Sequence, residues 1–291
     1  MSETPRLFDQ GLVRVRLRRA IGQRAEDFLL ARAGADLSDR LGALLRHFEI
    51  VLDLGTPGYH AKMALQASGK VGQVIHAAPI MEMANSKLSI VTDPGLVPFG
   101  AESLDAVISL LALQTVDDLP GVLLQIRRAL RPDGLFMACL VGGASLLELR
   151  QSMAAAESEI EGGISPRVAP FADIGDLGGL LQRAGFALPV SDVDRFTVRY
   201  ASPLGLMHDL RRMGATNMLA QRRKTPLRRA TLLRAIEIYG ERFSDPDGRV
   251  RATFELVWIS GWVPHESQQK PLKPGSAVKR LADALGVREN S

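Results

Sequence analysis

An apolar run that ends at an acidic residue and a glycine turn constrains the fold of this chain more than any other feature. Residues 50–52 are apolar, Asp53 follows, and residues 55–58 form a turn before a helical pattern. This order is typical of a parallel strand whose carboxyl end faces a nucleotide cofactor. A turn of the pattern D-x-G-x-G-x-G would have glycine at Pro57 and at Tyr59, and proline supplies no amide proton. The sequence therefore predicts a cofactor-binding fold whose glycine turn has lost part of its contacts to the cofactor.

Strand and helix patterns alternate along the first half of the chain. Apolar strand patterns lie at residues 50–54, 71–77, 88–92, 104–113 and 135–141. Short helices between such strands imply right-handed crossovers and a parallel sheet that is covered on both faces. Further strand patterns lie at residues 187–190, 196–200 and 252–259. We therefore predict an α/β fold with a doubly wound, mostly parallel, seven-stranded sheet.

Helix and turn signals surround these strands. Periodic apolar residues predict helices at residues 12–33 and 37–47, the second of which Asp36 or Ser38 would cap. After the fourth strand, the sequence predicts a turn at residues 131–134. Before that turn, a helix that ends near Leu130 is expected to start from the cap and first-turn residues Asp117, Asp118 and Pro120.

The patterns divide the chain into five segments. They are an N-terminal helical segment (1–48), a core (49–202), a helical cap insertion (203–249), a last sheet strand (250–264) and a polar tail (265–291). We also expect a short helix at residues 277–285 of the tail.

The composition is that of an ordinary globular protein. The chain has 291 residues, a net charge of +4, 46% apolar and 23% charged residues. Basic clusters at residues 14–19 and 222–224 lack interleaved aromatics, which argues against a nucleic-acid partner. No apolar run reaches the roughly 18 residues that span a bilayer, and peripheral membrane association stays open. Residues 1–5 lack signal-peptide features and Cys139 lies in an apolar strand, so we expect a bacterial, cytoplasmic protein with an inert thiol.

Three strand ends would shape a pocket for an adenosine-type cofactor. Asp53, Gly55 and Gly58 close the first strand, where their backbone could face the charged tail of the cofactor. An acid at the end of the second strand would accept hydrogen bonds from the ribose, but none stands there, and Glu82 lies one turn further on. Asp93 ends the third strand. It could accept from an adenine amino group or simply cap its own turn.

Motifs along the chain resemble those of class I S-adenosylmethionine-dependent methyltransferases. The matching elements are residues 51–55 (VLDLG), 97–99 (VPF), 103–105 (SLD) and 130–134 (LRPDG). The fit to one branch extends over nearly the whole chain, through residues 142–150, 161–166, 176–186, 209–217 and 262–268. That branch is the methyltransferase-like assembly factor of respiratory complex I. A neighbouring branch is the malonyl-acyl-carrier-protein methyltransferase of biotin synthesis.

This resemblance implies a Rossmann-like fold, S-adenosylmethionine as the cofactor and a complex I subunit as the protein substrate. Mitochondrial members of the branch are linked to arginine hydroxylation on a quinone-module subunit. Three departures lie around the implied cofactor: residues 55–59 replace G-C-G-x-G-Y with one residue deleted, Ala78 replaces Asp, and residues 113–116 (LQTV) replace L-H-W-V. Losing several hydrogen bonds there would weaken cofactor binding by about tenfold to several hundredfold.

Other kinds of site have less support in the sequence. The five histidines form no pair at metal-ligand spacing, and residues 142–145 are not a nucleophile elbow, so we predict no metal site and no Ser-His-Asp chemistry. Tyr200, Arg211 and Asn217 lie where the cap could meet a substrate, and ordinary packing is the alternative for each.

Two functions from different classes follow. The chain could be a cofactor-dependent enzyme that modifies an arginine of a complex I subunit, or a cofactor-less assembly chaperone that keeps the fold and holds such a subunit. A malonyl-acyl-carrier-protein or small-molecule methyltransferase is the further alternative.

Overall fold

A single seven-stranded sheet organises the chain. The computed structural model describes residues 6–84 and 86–268. The strands are β1 (Phe48–Leu54), β2 (Val71–Ala78), β3 (Ser89–Val91), β4 (Leu104–Leu110), β5 (Leu130–Val141), β6 (Ala187–Tyr200) and β7 (Val250–Trp262). Their order is β3-β2-β1-β4-β5-β7-β6, with β1 to β5 parallel and β7 antiparallel to both of its neighbours. The predicted fold class is confirmed.

Eight α-helices surround the sheet in the described part of the chain. They are α1 (Gln10–Gly22), α2 (Phe28–Ala43), α3 (His60–Ala67), α4 (Leu119–Ala129), α5 (Leu147–Glu161), α6 (Ile174–Arg183), α7 (Pro203–Arg212) and α8 (Arg229–Phe243). Among residues 6–84 and 86–268, no helix has both the length and the apolar character needed to cross a bilayer.

Both faces of the sheet are buried at its centre, where successive side chains of β4 point to opposite faces, whereas alternate residues of the edge strand β6 are exposed. In β4, Val107 packs with α4 and α6 on one face, whereas Ala106 and Ile108 pack with α2 and α3 on the other. A fully buried valine or isoleucine side chain stabilises the fold by about 1.5–3 kcal/mol relative to an exposed one. The sheet therefore gives the carboxyl ends of β1 to β5 a rigid base.

The helix prediction at the amino end is wrong in its boundaries. The helix predicted at 12–33 is interrupted: α1 ends at Gly22, and α2 begins only at Phe28, whose ring packs edge-on against Phe254 at 5.7 Å. Asp36 and Ser38 lie inside α2 and do not cap it; Ser38 Oγ donates to the carbonyl of Gly34. Tertiary contacts of the linking residues override the local pattern here.

Two predictions near β5 and β6 also need correction. Residues 131–134 belong to β5, at a register irregularity, and are not a separate turn. The two strand patterns at 187–190 and 196–200 form one continuous strand, because β6 pairs with β7 along almost its full length and Asp192 and Asp194 bind arginines of α2. The helix predicted at 277–285 lies outside the described residues.

The predicted start of α4 is confirmed. Asp118 accepts a hydrogen bond from the amide of Gly121, and Pro120 lies in the first turn. Asp117 has a different role, because its Oδ1 accepts from the amides of Leu7 and Phe8. It thereby anchors the amino-terminal segment to the core.

Helices α5, α7 and α8 pack together over the end of the sheet and form a cap. Helices α7 and α8 lie between β6 and β7 in the chain, and their apolar residues share a cluster with α5 and β7. Tyr239 of α8 is fully buried, and its hydroxyl donates to the carbonyl of Arg251. The cap adjoins the carboxyl ends of the parallel strands, where ligands bind in this class of fold.

Candidate cofactor crevice and adjoining cavities

Asp53 ends β1 as a fully buried carboxylate. It lies opposite His76 of β2, and its Oδ2 is 3.0 Å from Nδ1 of that histidine. Its Oδ1 is also buried and has no hydrogen-bond partner among the described residues. A buried acceptor without a partner is costly, so this atom is poised to accept from a water or a ligand.

The glycine turn after β1 is tied to the neighbouring strand. Gly55 has φ +76°, and a Cβ there would lie 3.0 Å from the Cβ of Ala112, so only glycine fits without strain. Thr56 is fully buried and its hydroxyl accepts from the amide of Leu110 at 3.0 Å. Gly58 has φ +117° and open space beside it. The turn therefore keeps its shape, while the Thr56 hydroxyl is used within the protein.

The end of β2 lacks a carboxylate for a ribose, and the carboxylate that follows β3 is partly used within the protein. Ala78 ends β2 and is fully buried. Glu82 follows on a 3-10 turn, where it binds Arg18 of α1 at 2.7 Å, and its own backbone together with Arg18 lowers its pKa. Asp93 accepts from the amide of Gly95 at 2.8 Å and so caps its own turn.

Two cavities touch this turn, and the one over Gly55 is the smaller. A cavity of about 90 Å³ is lined by Gly55, Pro57 and Asp93 together with residues of α1, among them Arg14. Ligand pockets usually measure roughly 300–1,000 Å³. Gly55, the buried Asp53 and the second oxygen of Asp93 fit S-adenosylmethionine, but Pro57 offers no amide proton and Ala78 no carboxylate for it. The residues present therefore do not provide the full cofactor site.

A larger, acidic cavity of about 460 Å³ lies beside α1, and Pro57, Gly58 and Tyr59 of the glycine turn line it as well. Three of its lining residues are carboxylates, Glu26, Asp27 and Glu82, and none of its described lining residues is lysine or arginine. Tyr59 and His60 also line it, with their rings stacked at 4.6 Å. In a chain with a net charge of +4, such a lining favours a cation.

Each carboxylate of the acidic cavity already has a basic partner. Glu26 binds Arg212 at 3.0 Å, and Glu82 binds Arg18, so two of the three hold a guanidinium group. Asp27 lies 2.9 Å from Nε2 of His60. These pairs are partly exposed, and exposed pairs exchange partners at little energetic cost.

A third cavity, of about 350 Å³, lies beneath the cap and is here called the cap cavity. Most of its lining residues are apolar, including four methionines: Met153, Met207, Met213 and Met218. Arg167 is the single charged residue in its described lining, and its guanidinium Nε donates to the buried Glu157 at 2.7 Å. Gln114 lines all three cavities, and its Oε1 is buried with no described partner.

The three substrate candidates from the sequence are not brought together. Tyr200 packs in the apolar cluster of the cap, where burial raises the pKa of its hydroxyl, and it lines none of the three cavities. Arg211 is exposed and also lines none of them. Asn217 lines the cap cavity, but its side chain donates to Pro166 and accepts from Leu219.

Sequence reasoning singled out Gly58 and Glu82 of the acidic cavity but missed Glu26, Asp27 and His60. Glu26 and Asp27 stand in the link that was expected to be helical, so no local signal set them apart. Elsewhere, burial raises the pKa of the Cys139 thiol, which is inside the core. Across residues 6–84 and 86–268, no three His, Cys, Asp or Glu side chains lie close enough to hold a metal ion.

Comparisons with known proteins agree with this architecture. A family profile described as "Methyltransferase domain" matches residues 52–138. Among solved structures, a putative methyltransferase from Bacillus halodurans is similar with a TM-score of 0.51 and 17% identity; the alignment covers 80% of this chain and 99% of that one. The YcgJ protein of Bacillus subtilis has a TM-score of 0.53 and 12% identity over the same shares of the two chains. These structures show the fold.

Curated relatives define the family more narrowly. The mitochondrial arginine-hydroxylase NDUFAF5 of Danio rerio is 39% identical over 88% of this chain and 82% of its own length. The human protein of the same name is 38% identical over 91% of this chain and 78% of its own length. A malonyl-[acyl-carrier protein] O-methyltransferase of Halorhodospira halophila is 33% identical over 87% of this chain and 89% of its own length. The chain therefore belongs to the class I methyltransferase superfamily and, within it, to the family of the NDUFAF5 arginine hydroxylases.

Proposed function

We propose that this protein binds an arginine side chain of its protein substrate, a respiratory complex I subunit, in the acidic cavity. It thereby takes part in the modification of that arginine and in the assembly of complex I. The carrying observation is the set of three carboxylates, Glu26, Asp27 and Glu82, two of which hold guanidinium groups of the chain itself. The names of the most similar curated relatives support arginine as the target. The compartment stays a prediction, since those relatives are named mitochondrial.

The chemistry of the cavity suits a guanidinium group. Carboxylates bind the planar fork of arginine through charge-assisted hydrogen bonds, which are about twice as strong as neutral ones. Tyr59 is 55% exposed at the cavity, and its ring offers a face for stacking with the guanidinium. An incoming arginine would displace Arg18 or Arg212 from its carboxylate. It would thereby exchange one ion pair for another of the same kind.

In this proposal, the cofactor S-adenosylmethionine binds only weakly. S-adenosylmethionine supplies methyl transfer when it is bound, and Asp53, Gly55 and Gly58 are the residues that would hold it. The shortened turn and Ala78 in place of an acid support weak binding. Strong, stoichiometric binding of S-adenosylmethionine in isothermal titration would remove the alternative of a cofactor-less assembly chaperone.

The malonyl-acyl-carrier-protein alternative has less support from the geometry. A malonyl group carries a carboxylate and needs a cation, but Arg167 in the cap cavity is neutralised by Glu157. The acidic cavity would repel the same carboxylate. Restored growth of a biotin-requiring strain by this chain would revive that alternative.

Peptide binding tests the proposal directly. An arginine-containing peptide from the quinone-module subunit should bind at least about tenfold more tightly than the same peptide with citrulline, which is neutral and of similar shape. The double variant Asp27→Asn with Glu82→Gln should lose this preference. The control Glu49→Gln removes a carboxylate that is 75% exposed and does not line the cavity, and it should leave the preference unchanged. Equal binding of the two peptides by the unmodified protein would refute arginine recognition.

Two further measurements separate modification from holding. Mass spectrometry of the peptide after incubation with cell extract and the protein would detect an added oxygen or methyl group on arginine. Co-purification of the subunit without any mass change would support the chaperone function. Repeated absence of both outcomes would contradict the assignment to complex I assembly.

A further inference from the structure

Several helices and strands form the walls of the cap cavity, and Gln114 Oε1 is the one buried polar side-chain atom of its described lining that has no hydrogen-bond partner. Its apolar lining comes from β5 (Val141), α5 (Leu149), α7 (Leu210), α8 (Leu232) and β7 (Phe254). At about 350 Å³ it lies within the range of pockets that hold small molecules. An apolar space of this size, if left empty, weakens a fold in proportion to its volume.

Three further polar side chains of its lining are already used within the protein. Ser145 Oγ donates to the carbonyl of Glu255 at 3.1 Å and accepts from its amide at 2.9 Å. Thr115 Oγ1 donates to the carbonyl of Ala112, and Asn217 bridges Pro166 and Leu219. A peptide inserted here would leave its backbone groups without partners, which is costly. The occupant should therefore have no chain of polar groups.

Charge further restricts which molecules can occupy the cap cavity. Arg167 is the single charged residue of the described lining, and its charge is compensated by Glu157, whose side chain is 1% exposed. Glu157 also accepts from the amide and the hydroxyl of Ser165, so it stays bound to this loop. An anionic head group would have to compete with a buried carboxylate for Arg167.

We infer that the cap cavity binds an uncharged aliphatic chain. Methionine side chains adapt their shape, and the four in this lining suit a flexible alkyl chain better than a rigid ring system. The cap cavity meets the acidic cavity at Leu29, Gln114 and Met213, which line both. The chain would thus lie beside the candidate arginine site. The inference does not depend on the proposed function.

Titration of the full-length protein with 1-decanol tests this site. Isothermal titration should show saturable, one-to-one binding, and the melting temperature should rise with decanol concentration. Decanoate has a similar alkyl chain but is negatively charged, and it should bind at least about tenfold more weakly. Absence of saturable decanol binding, or equal binding of decanoate, would overturn the inference.

A cavity-filling variant locates the binding. Val168→Trp places an indole in the cap cavity from the loop at residues 165–171 and should abolish decanol binding, with an unchanged circular dichroism spectrum. Ile164→Trp is the matched control, because Ile164 is 68% exposed just before the same loop, and it should bind decanol as the unmodified protein does. Should Val168→Trp fail to fold, Ala169→Leu fills the same space with a smaller side chain. Decanol binding by a folded filled variant at the original affinity would refute this location.

Discussion

The carboxyl ends of β1 to β3 and the cap side of the sheet use their polar groups in different ways. Around the glycine turn, Thr56, Glu82 and Asp93 are engaged by other parts of the chain, and the cavity over Gly55 is small. Beneath the cap, most polar groups are also paired, and a cavity of about 350 Å³ stays open between the elements. Open space therefore lies both beside the glycine turn, in the acidic cavity of about 460 Å³, and beneath the cap, but the glycine-turn side is lined by carboxylates whereas the cap side is almost entirely apolar.

The cap side depends on buried carboxylates that are well satisfied. Glu157 binds Ser165 and Arg167, Glu255 binds Arg195 at 2.9 Å, and Glu148 accepts from the amide of Thr253 at 3.0 Å. A buried charge is stable only with such partners, so removing one of them is costly. The glycine-turn side contains one comparable group, Asp53, and one of its oxygens has no described partner.

The largest expected effect tests the cap side. Burial raises the pKa of Glu157, but hydrogen bonds from Ser165 and the charge of Arg167 outweigh it and lower the pKa below its usual 4.5. Glu157→Gln should therefore reduce the free energy of unfolding by about 3 kcal/mol at pH 7. A lowered carboxylate pKa contributes stability above the unfolded-state pKa and loses it in acid, so the difference should narrow below pH 4.5.

Urea unfolding at several pH values measures this difference. Glu159→Gln on the same helix is the matched control, because the Glu159 side chain is 45% exposed, and its effect should be much smaller. If the difference in the free energy of unfolding between Glu157→Gln and the unmodified protein widened in acid, the assigned role of Glu157 would be contradicted.

The next effect tests the frame of the glycine turn. Gly55→Ala should destabilise the protein by about 1–2 kcal/mol, because a left-handed backbone disfavours a Cβ and the added atom would contact Ala112 and Pro94. Chemical denaturation measures the change. Gly100→Ala is the control, since that glycine has open space and no left-handed φ, and it should be nearly neutral. Equal stability of the two variants would show that the turn is more adaptable than its geometry indicates.

A third variant tests whether the binding of S-adenosylmethionine can be restored. Ala78→Asp returns a carboxylate to the end of β2, where a ribose would be held, and should raise the affinity for S-adenosylmethionine by about tenfold. Ala78→Asn has nearly the same size without the charge, so its gain should be smaller. Isothermal titration of both variants would compare them. No gain for Ala78→Asp would mean that the missing acid does not limit binding.

The smallest effect concerns the edge of the acidic cavity. Arg18→Ala frees Glu82 from its partner on α1 and should raise the affinity for the arginine peptide by about two- to threefold. The urea midpoint should stay unchanged, because both side chains are largely exposed. Arg19→Ala removes a neighbouring charge on the same helix and serves as the control. A weaker peptide affinity for Arg18→Ala would indicate that Arg18 supports the site.

The sequence predicted the central strands and the N-cap of α4 well, because strands and helix N-caps are local features. The apolar run of β4 and the cap residue Asp118 follow from their own neighbours in the chain. The break between α1 and α2 could not be read in this way, because Asp27 binds His60, 33 residues away. The acidic cavity combines residues 26–27 with Glu82, and its charge emerges only after folding.

The place of β7 between β5 and β6 has a consequence for biosynthesis. Strand β6 ends at Tyr200, but its hydrogen-bonding neighbour β7 spans Val250–Trp262. While the ribosome makes the intervening residues, the nascent sheet exposes two unpaired edges, and such edges invite aggregation. Expression yield should therefore depend on how quickly the 49 residues between β6 and β7 are made, about 2.5–10 s at elongation rates of roughly 5–20 residues per second.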